Sequence, residues 1–285
     1  MAEIIDGKRI ALECRKALKS RVAEFTEKKG YPPGLGVILV GEDPASAVYV
    51  RNKELACEKA GIASFHTSLP ATASPAEVEA VIDRFNADPH CHGILLQLPL
   101  PKGIDSDAML RRIRPEKDAD GFHPMSAGLL AIGQPEFVPC TPKGCMVLLE
   151  RTGIELKGKN AVVVGRSNIV GKPVAQLLLA QHCTVTICHS RTRDLAGEVA
   201  RGDIVVAAVG VPEMVKGDWI QKGAVVIDVG INRREDGSLC GDVEFDIARE
   251  RASWITPVPG GVGPMTVAML LENTVDGAYR YDPIA

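Results

Sequence analysis

The sequence has no apolar stretch near the roughly 20 residues that a membrane-spanning helix requires, and its formal net charge is only −3. The first absence argues against an integral membrane protein. The second removes the global field that would attract nucleic acid or anionic lipid. The N-terminal residues mix acids with bases and contain no apolar core of a secretory signal. We therefore expect a cytoplasmic protein with neither a membrane nor a nucleic-acid partner, and with a helix at its start.

The eight cysteines include no CxxC pair. The closest spacings, Cys140 to Cys145 and Cys183 to Cys188, do not fit a metal knuckle, so we expect reduced and mostly buried thiols. The stretch "HCH" at 90–92 is interpreted as a solvated turn, because neighbouring side chains on a strand or turn point in different directions. No metal ion is predicted.

The composition is that of an ordinary globular protein, with 46% apolar and 24% charged residues. In the first half, short apolar runs alternate with amphipathic segments. The predicted strands are 35–41, 63–69 and 92–98, and the predicted helices are 44–60 and 75–87. The first of these helices has Asp43 as N-cap, Pro44 as its first residue and Gly61 as its C-terminal stop. This alternation predicts βαβ units with a parallel sheet.

The second half repeats this pattern with nearly continuous β-branched runs, which are typical of buried parallel strands. The predicted strands are 160–165, 184–190, 203–210, 224–230 and 253–258. A segment rich in proline and glycine, 122–144, lies between the halves and indicates a linker or domain boundary. A final helix is predicted from Met265 to about Tyr279. The fold class is therefore α/β with two domains.

The loop "VVVGRSNIVGKP" (162–173) is similar to two nucleotide-binding loops and matches neither. A P-loop is disfavoured because five residues separate Gly165 from Gly171 and because Pro173 stands where a hydroxyl would bind magnesium. The GxGxxG fingerprint is absent because Ser167 replaces its middle glycine. A strand still leads into the loop and a helix out of it, and a helix N-terminus can hold a pyrophosphate. A plain strand–turn–helix connection explains this loop equally well.

The end of the next strand favours a dinucleotide. NAD-specific folds place an acid about 20 residues after the glycines, whereas this chain has Ser190, Arg191 and Arg193 there. A hydroxyl and cations at that position suit the extra phosphate of NADP, and Arg166 can join them. A solvated basic turn is the alternative. We predict an NADP site.

The first half offers two polar features. Tyr49 and Lys53 share a helix face, but they lie far before the glycine loop, so we reject the tyrosine–lysine pair of short-chain dehydrogenases. A solvent-facing pair remains the ordinary explanation. Gln97 interrupts an apolar strand just before the two prolines that end it, and a polar side chain there faces the ligand crevice of a parallel sheet.

Two loops complete the pattern. "EKDADGFHP" (116–124) places Asp118 and Asp120 beside Gly121, although acids beside glycine are usually turn formers. "TPVPGGVGPMT" (256–266) has three prolines and three glycines directly after the last predicted strand. Such a loop allows a flat ligand to approach the backbone closely.

Together these stretches closely resemble the bifunctional methylenetetrahydrofolate dehydrogenase/methenyltetrahydrofolate cyclohydrolase family. The matching stretches are "YVRNK", "QLPLP", "KDADGFHP", "PCTPKG", "VVVGRSNIVGKP", "VIDVGIN" and "TPVPGGVGPMT", in the order of the family. The length is similar to that of the short form, which lacks the formate ligase domain of larger members. Ala119 between the aspartates and Arg191, where lysine is common, are small departures.

The resemblance implies an N-terminal three-layer α/β folate domain (1–120) and a C-terminal Rossmann-like NADP-binding domain (121–285), with the active site in a cleft and a helix at about 268–285 that packs back on the first domain. It also implies a homodimer. The implied reactions are oxidation of methylenetetrahydrofolate by NADP and hydrolysis of the methenyl product to formyltetrahydrofolate, a supply of one-carbon units that purine biosynthesis uses.

The resemblance also implies the roles of individual residues. Lys53 resembles the catalytic lysine, with Gln97 hydrogen-bonded to it, Tyr49 packed on the folate and Asp120 gripping the pterin. The folate site would further include Leu96, Leu98, Pro259, Gly260, Gly261 and Val262. The NADP site would include Thr141, Gly165, Arg166, Ser167, Ser190, Arg191 and Ile231. A lysine that is partly desolvated near a bound cation provides a neutral amine, which can act as the base for hydration.

Three other readings stay open at this stage. The first is a family member that keeps one activity or prefers NAD. The second is a non-catalytic NADP sensor on the same fold. The third is an α/β enzyme similar to amino-acid dehydrogenases, which leaves "QLPLP" and the proline–glycine loop unexplained.

Overall fold

The computed structural model describes residues 1–42 and 44–284, and side chains for all of these except residues 44–49. The chain divides into two compact units, which we name after their sheets. The smaller-sheet unit comprises Glu13–Leu129, Pro135–Val138 and Val267–Ala285. The larger-sheet unit comprises Met1–Leu12, Leu130–Gln134 and Pro139–Thr266.

The smaller sheet is parallel and has the strand order β3-β2-β4. The central strand, β2, is buried along its whole length, whereas the edge strand β3 alternates between half-buried and exposed residues. Its strands are β2 (Gly34–Val40), β3 (Ala63–Leu69) and β4 (Gly93–Leu96). The helices of this part of the chain are α1 (Gly7–Lys29), α2 (Pro44–Ala60), α3 (Pro75–Ala87), α4 (Ser106–Arg112) and α5 (Pro124–Ala131), with a 3-10 helix at Pro115–Lys117.

Helix α3 shows how local sequence sets these elements. The Ser74 hydroxyl accepts the N–H of Glu77, and the Glu77 carboxylate accepts the N–H of Ser74, so that the first turn is closed in both directions. Pro75 fits the first turn because no hydrogen bond is required of its nitrogen there. The face that packs on the sheet consists of Val78, Val81, Ile82 and Phe85. The predicted helix 75–87 is confirmed.

The larger sheet is also parallel and has the strand order β1-β11-β8-β7-β5-β6. Its strands are β1 (Glu3–Ile4), β5 (Asn160–Val164), β6 (Thr184–Cys188), β7 (Ile204–Ala207), β8 (Val225–Asp228) and β11 (Trp254–Ile255). The short strands β9 (Asn232–Arg233) and β10 (Leu239–Cys240) form an antiparallel pair. The helices of this unit are α6 (Cys140–Glu150), α7 (Gly171–Ala180), α8 (Leu195–Val199) and α9 (Phe245–Arg251), with a 3-10 helix at Gly217–Trp219. The last helix, α10 (Val262–Tyr281), begins in this unit and belongs to the smaller-sheet unit from Val267 onward.

Alternate residues of the central strands build one core of the larger-sheet unit. Val162 and Val164 of β5 lie two residues apart, as do Val205 and Ala207 of β7, and all four are at most 2% exposed. Because side chains alternate between the faces of a strand, each of these pairs points to one face. Burial of each valine contributes about 1.5–3 kcal/mol relative to exposure.

Several predicted elements differ from the structure in type or in length, and the strand predicted at 253–258 is only Trp254–Ile255. The N-terminal residues form strand β1, and helix α1 begins only at Gly7. The strand predicted to reach residue 210 ends at Ala207, because the N–H groups of 209–211 donate to the Asp242 carboxylate. The segment 122–144, predicted as a linker, contains α5 and the start of α6, and the chain passes between the units within it.

The prediction of a solvated turn at 90–92 is wrong for two of its three residues. Cys91 and His92 are 0% and 5% exposed. His92 Nδ1 accepts the Gly34 N–H at 2.9 Å, and its ring lies edge-on to Phe25. Among the described residues, no cluster of three or more His, Cys, Asp or Glu residues could hold a metal ion. No helix within residues 1–42 and 44–284 is long and apolar enough to cross a membrane. The predicted N-cap, Asp43, falls outside the described residues.

Candidate active site

A buried lysine marks the smaller-sheet unit. Val50, Lys53, Cys57 and Ala60 follow helical spacing on the buried face of α2, so Lys53 is only 9% exposed. It is therefore not the solvent-facing lysine of the ordinary explanation. A buried ammonium or amine requires polar partners, and Lys53 Nζ lies 3.0 Å from Gln97 Oε1.

Gln97 is placed by the end of a strand. Strand β4 ends at Leu96, and the Gln97 N–H still donates to the Ile38 carbonyl of β2. Gln97 Nε2 donates to the Leu98 carbonyl at 2.7 Å, which leaves Oε1 to accept from Lys53. The carboxamide is thus fixed in one orientation at the carboxyl end of a parallel strand, where ligands of α/β sheets bind.

The aspartate turn lies beside the same strand. Asp118 is 1% exposed and forms a parallel bridge with Ile94 of β4. Its carboxylate accepts the N–H groups of Phe122 (3.1 Å) and His123 (2.8 Å) and the Ser126 hydroxyl (2.6 Å). Burial raises the pKa of the Asp118 carboxyl, and these three donors oppose that rise.

Asn273 of α10, the last helix, forms hydrogen bonds with the backbone of this turn. Asn273 is 2% exposed, and its Nδ2 donates to the carbonyls of Ala119 and Val138, both at 2.9 Å. Ala119 is fully buried and Asp120 is half-buried. The turn that carries Asp120 is therefore fixed through its backbone by Asp118 and Asn273. Sequence reasoning missed Asn273, because nothing local connects it to this turn.

Two glycines allow the loop of the larger-sheet unit to fold tightly. Gly165 has φ +124°, and a Cβ there would lie 2.1 Å from the Ala208 carbonyl oxygen. A Cβ on Gly171 would lie 2.3 Å from the Gly165 carbonyl oxygen. Any larger residue at either position would force these backbones apart. The Ser167 hydroxyl accepts the N–H groups of Val170 (3.1 Å) and Gly171 (3.2 Å) at the start of α7.

Exposed arginines lie in this loop and in the turn after the neighbouring strand β6. Ser190 and Arg191 follow β6 and are exposed, in a turn closed by His189 N–H donating to Thr192 Oγ1 at 2.9 Å. Arg166 is exposed in the glycine loop. Among the described residues, neither Arg166 nor Arg191 forms an ion pair with a carboxylate. Both guanidinium groups therefore remain able to bind a phosphate, and the close-packed glycine loop fits a dinucleotide cofactor.

The remaining predicted residues flank these loops. Thr141 lies in the first turn of α6, and its hydroxyl is 2.9 Å from that of Thr266. Ile231 follows β8 and is 46% exposed. In the proline–glycine loop Pro259 is exposed and Gly260 half-buried, while Gly261 and Val262 are buried.

Tyr49 belongs to α2, but its side chain is outside the described part of the chain. Of the other predicted folate residues, Leu96 is buried and Leu98 half-buried, on either side of Gln97. The structure thus brings Lys53 and Gln97 into direct contact.

The sequence matches two family profiles. Residues 5–120 match "Tetrahydrofolate dehydrogenase/cyclohydrolase, catalytic domain", and residues 139–282 match "Tetrahydrofolate dehydrogenase/cyclohydrolase, NAD(P)-binding domain". The chain belongs to the tetrahydrofolate dehydrogenase/cyclohydrolase family. The predicted family and the predicted two-domain α/β fold are confirmed.

Individual relatives match this chain over nearly its whole length. The bifunctional protein FolD of Magnetococcus marinus is 62% identical over 100% of both chains. The FolD methylenetetrahydrofolate dehydrogenase/cyclohydrolase structure from Campylobacter jejuni has a TM-score of 0.96 and 45% identity, over 99% of this chain and 100% of that one. The Trypanosoma brucei FolD structure, complexed with NADP cofactor and inhibitor, has a TM-score of 0.95 and 45% identity, over 99% and 98%. The predictions of a bifunctional dehydrogenase/cyclohydrolase and of NADP as cofactor are confirmed.

Proposed function

We propose that Lys53, Gln97, Tyr49 and Asp120 form the site of both reactions. These are oxidation of 5,10-methylenetetrahydrofolate to 5,10-methenyltetrahydrofolate and hydrolysis of the latter to 10-formyltetrahydrofolate. The observation that carries this assignment is the buried contact of Lys53 with Gln97. Lysine is rarely buried without a partner, and a buried ionisable group beside a strand end is a candidate for catalysis.

In the oxidation, bound NADP would supply the acceptor for the hydride that leaves the bridging methylene carbon. The protein has to hold two flat molecules in contact and keep water out. We assign folate contacts to Leu96 and Leu98, beside the oriented carboxamide of Gln97. Further contacts are assigned to the loop Pro259–Val262, where glycine backbone allows close approach.

The hydrolysis requires a base, because the water that attacks the methenyl cation must lose a proton. We assign this role to Lys53, whose Nζ would accept that proton. Gln97 Oε1 accepts a hydrogen bond from the amine and adds no charge that would hold the proton on it. Tyr49, on the same helix, packs against the folate.

Asp120 is assigned to the pterin. A carboxylate offers two acceptor oxygens to the amino and ring N–H donors along one edge of that ring. The turn around it is rigid, because Asp118 and Asn273 bind its backbone. Little further ordering is required when the substrate binds.

The cofactor residues divide by charge. Gly165 and Ser167 lie in the loop that leads into α7, and the backbone N–H groups at the start of a helix favour a pyrophosphate. Arg166, Ser190 and Arg191 supply cations and a hydroxyl to the 2′-phosphate that distinguishes NADP from NAD. Thr141 and Ile231 complete the cofactor set.

We further propose a cytoplasmic homodimer that supplies one-carbon units to purine biosynthesis, with the folate chemistry in domain 1–120 and cofactor binding in 121–285. Light scattering across a range of protein concentrations tests the dimer. A constant mass equal to one chain would refute it.

The decisive test compares Lys53→Met with Lys59→Met, an exposed lysine on the same helix. With methylenetetrahydrofolate and NADP, reduced cofactor and methenyl absorbance are recorded together. We expect Lys53→Met to retain part of the dehydrogenase activity and to accumulate the methenyl product, because the base is missing. Lys59→Met should behave as the wild type.

Two results would contradict the assignment. Equal loss of both activities in Lys53→Met, with folate binding unchanged, would refute the division of roles. Stoichiometric NADP binding by the wild type without turnover would instead favour a cofactor sensor.

A further inference from the structure

A fully buried carboxylate organises the larger-sheet unit outside the residues assigned above. Asp242 is 0% exposed. Its Oδ2 accepts the N–H groups of Val209 (2.6 Å) and Gly210 (2.9 Å). Its Oδ1 accepts the Val211 N–H (3.0 Å) and Asn232 Nδ2 (2.8 Å). One side chain thus satisfies three consecutive backbone donors and a side-chain donor from a second loop.

A second carboxylate holds Asp242 in place. Asp228, the last residue of β8, is 2% exposed. Its Oδ1 accepts the Asp242 N–H at 2.9 Å, and its Oδ2 accepts the Val243 N–H at 2.9 Å. A Cβ on Gly241 would lie 1.8 Å from Asp228 Oδ2, so only glycine permits this approach. The backbone of Asp242 is therefore clamped while its side chain holds the two loops.

Both of these loops border the proposed cofactor site. They follow β7 and β8 at the carboxyl ends of parallel strands, where dinucleotides bind in such sheets. Ala208, next to the three clamped amides, donates its N–H to the Val164 carbonyl at 2.7 Å, and a Cβ on Gly165 would lie 2.1 Å from the Ala208 carbonyl oxygen. Ile231, a proposed cofactor residue, directly precedes Asn232. A shift of either loop would move the groups that face the cofactor.

We propose that Asp242 is a positioning residue for the NADP site, which fixes the loops after β7 and β8 and, through Ala208, the glycine loop. This inference rests on the proposed function, because it assumes that these loops bind the cofactor. Asp242 is fully buried, so we assign its effect to the loops that it holds.

Replacing Asp242 with asparagine breaks hydrogen bonds to these loops in either orientation of the amide. All four partners of Asp242 are donors, whereas an asparagine side chain has one acceptor oxygen and one NH2 group. The NH2 group would face two N–H groups whichever way it is turned. At least two of the four hydrogen bonds are lost, together with the attraction of the carboxylate for the others.

The test measures NADP affinity by fluorescence titration without folate, and cyclohydrolase activity on methenyltetrahydrofolate without NADP. For Asp242→Asn we expect NADP binding to weaken about 10-fold or more, the loss typical of hydrogen bonds to a charged group. Cyclohydrolase activity should stay within about twofold, because that reaction does not use the cofactor. The KM for NADP should rise with the dissociation constant.

The matched control is Asp203→Asn. Asp203 also accepts a backbone N–H, from Asn160 at 2.9 Å, but at the amino end of β5. We expect its NADP affinity to stay near that of the wild type. If Asp242→Asn does not fold, Asn232→Ala removes one bond and keeps the carboxylate, and a threefold or larger loss of NADP affinity is expected on the scale of one hydrogen bond.

Three outcomes would overturn the proposal. The first is an unchanged NADP affinity in folded Asp242→Asn. The second, if Asp242→Asn does not fold, is an unchanged NADP affinity in Asn232→Ala. The third is an equal loss of both activities in Asp242→Asn with a lowered melting temperature, which indicates a purely structural role. If the wild type does not bind NADP, the cofactor assignment itself is wrong, and the proposal for Asp242 is wrong as a consequence. The wild-type titration therefore separates the two failures.

Discussion

Lys53 Nζ and Gln97 Oε1 lie 3.0 Å apart, and this contact joins the buried face of α2 to the end of β4. The Gln97 amide cannot turn over without losing its bond to the Leu98 carbonyl. A neutral acceptor is thereby held against the amine.

Gln97→Glu tests the role of this neutral acceptor. A carboxylate beside Lys53 would favour the ammonium form, which cannot act as a base. We expect the cyclohydrolase kcat to fall about 100-fold or more, within the usual contribution of general base catalysis, and the dehydrogenase kcat to fall less. Stopped-flow measurement of methenyl decay provides the rate. Gln181→Glu, at an exposed position after α7, is the control. A cyclohydrolase that tolerates the carboxylate would argue against Lys53 as base.

Arg191→Ala tests the basis of cofactor choice. The Arg191 guanidinium is exposed and forms no ion pair among the described residues, so its removal leaves no carboxylate unpaired. We expect the KM for NADP to rise about 10-fold or more, as for loss of a charge-assisted hydrogen bond, and the KM for NAD to change little. Steady-state kinetics with both cofactors measures this. Arg201→Ala, an arginine 72% exposed beyond α8, is the control. Similar changes with both cofactors would remove Arg191 from the 2′-phosphate site.

Local sequence predicted most of the fold, because its signals are local. The Ser74–Glu77 box lies within one turn, and the β-branched runs of β5, β7 and β8 need only their own residues to show that they are buried. The limits of elements were harder. The strand through 203–210 ends early because a carboxylate 31 to 33 residues further along the chain competes for its N–H groups.

In the candidate site, too, some features are predictable from local sequence and others depend on distant contacts. Gln97 is visible in the sequence, because a polar residue at the end of an apolar strand is unusual. The contact of Lys53 with Gln97 and the hydrogen bond of Asn273 to Ala119 are not, since each joins residues that lie far apart in the sequence. The sequence does contain one sign of the buried carboxylates in the larger-sheet unit, because Asp228 is an acid directly after three buried apolar residues.

Asp228 also predicts a dependence of stability on pH. Burial, the largest cause, raises the pKa of its carboxyl from 3.8 to about 7. Between these values the folded state binds more protons than the unfolded state, so this group makes the free energy of unfolding decrease as pH rises from about 4 to about 7. The slope is at most about 1.4 kcal/mol per pH unit. Above pH 7 this contribution no longer changes.

Urea unfolding at several pH values measures this slope. Trp219 and Trp254 are the two tryptophans of the chain, and both lie in the larger-sheet unit, so their fluorescence reports on the unit that contains Asp228. Asp228→Asn should reduce the slope between pH 5 and 7, although the variant is less stable overall. Asp203→Asn, in the same unit, should retain it. An unchanged slope in Asp228→Asn would show that another group titrates.

The aspartate turn yields the last prediction. Asp118→Ala leaves the Phe122 and His123 N–H groups and the Ser126 hydroxyl without their common acceptor. An unsatisfied buried donor such as the Ser126 hydroxyl costs about 1–3 kcal/mol. We expect the smaller-sheet unit to be destabilised and the folate KM to rise, because the turn that carries Asp120 is released. NADP affinity should be unchanged. Asp107→Ala, exposed on α4, is the control. Wild-type folate KM in a folded Asp118→Ala variant would mean that Asp120 keeps its place without the hydrogen bonds of Asp118.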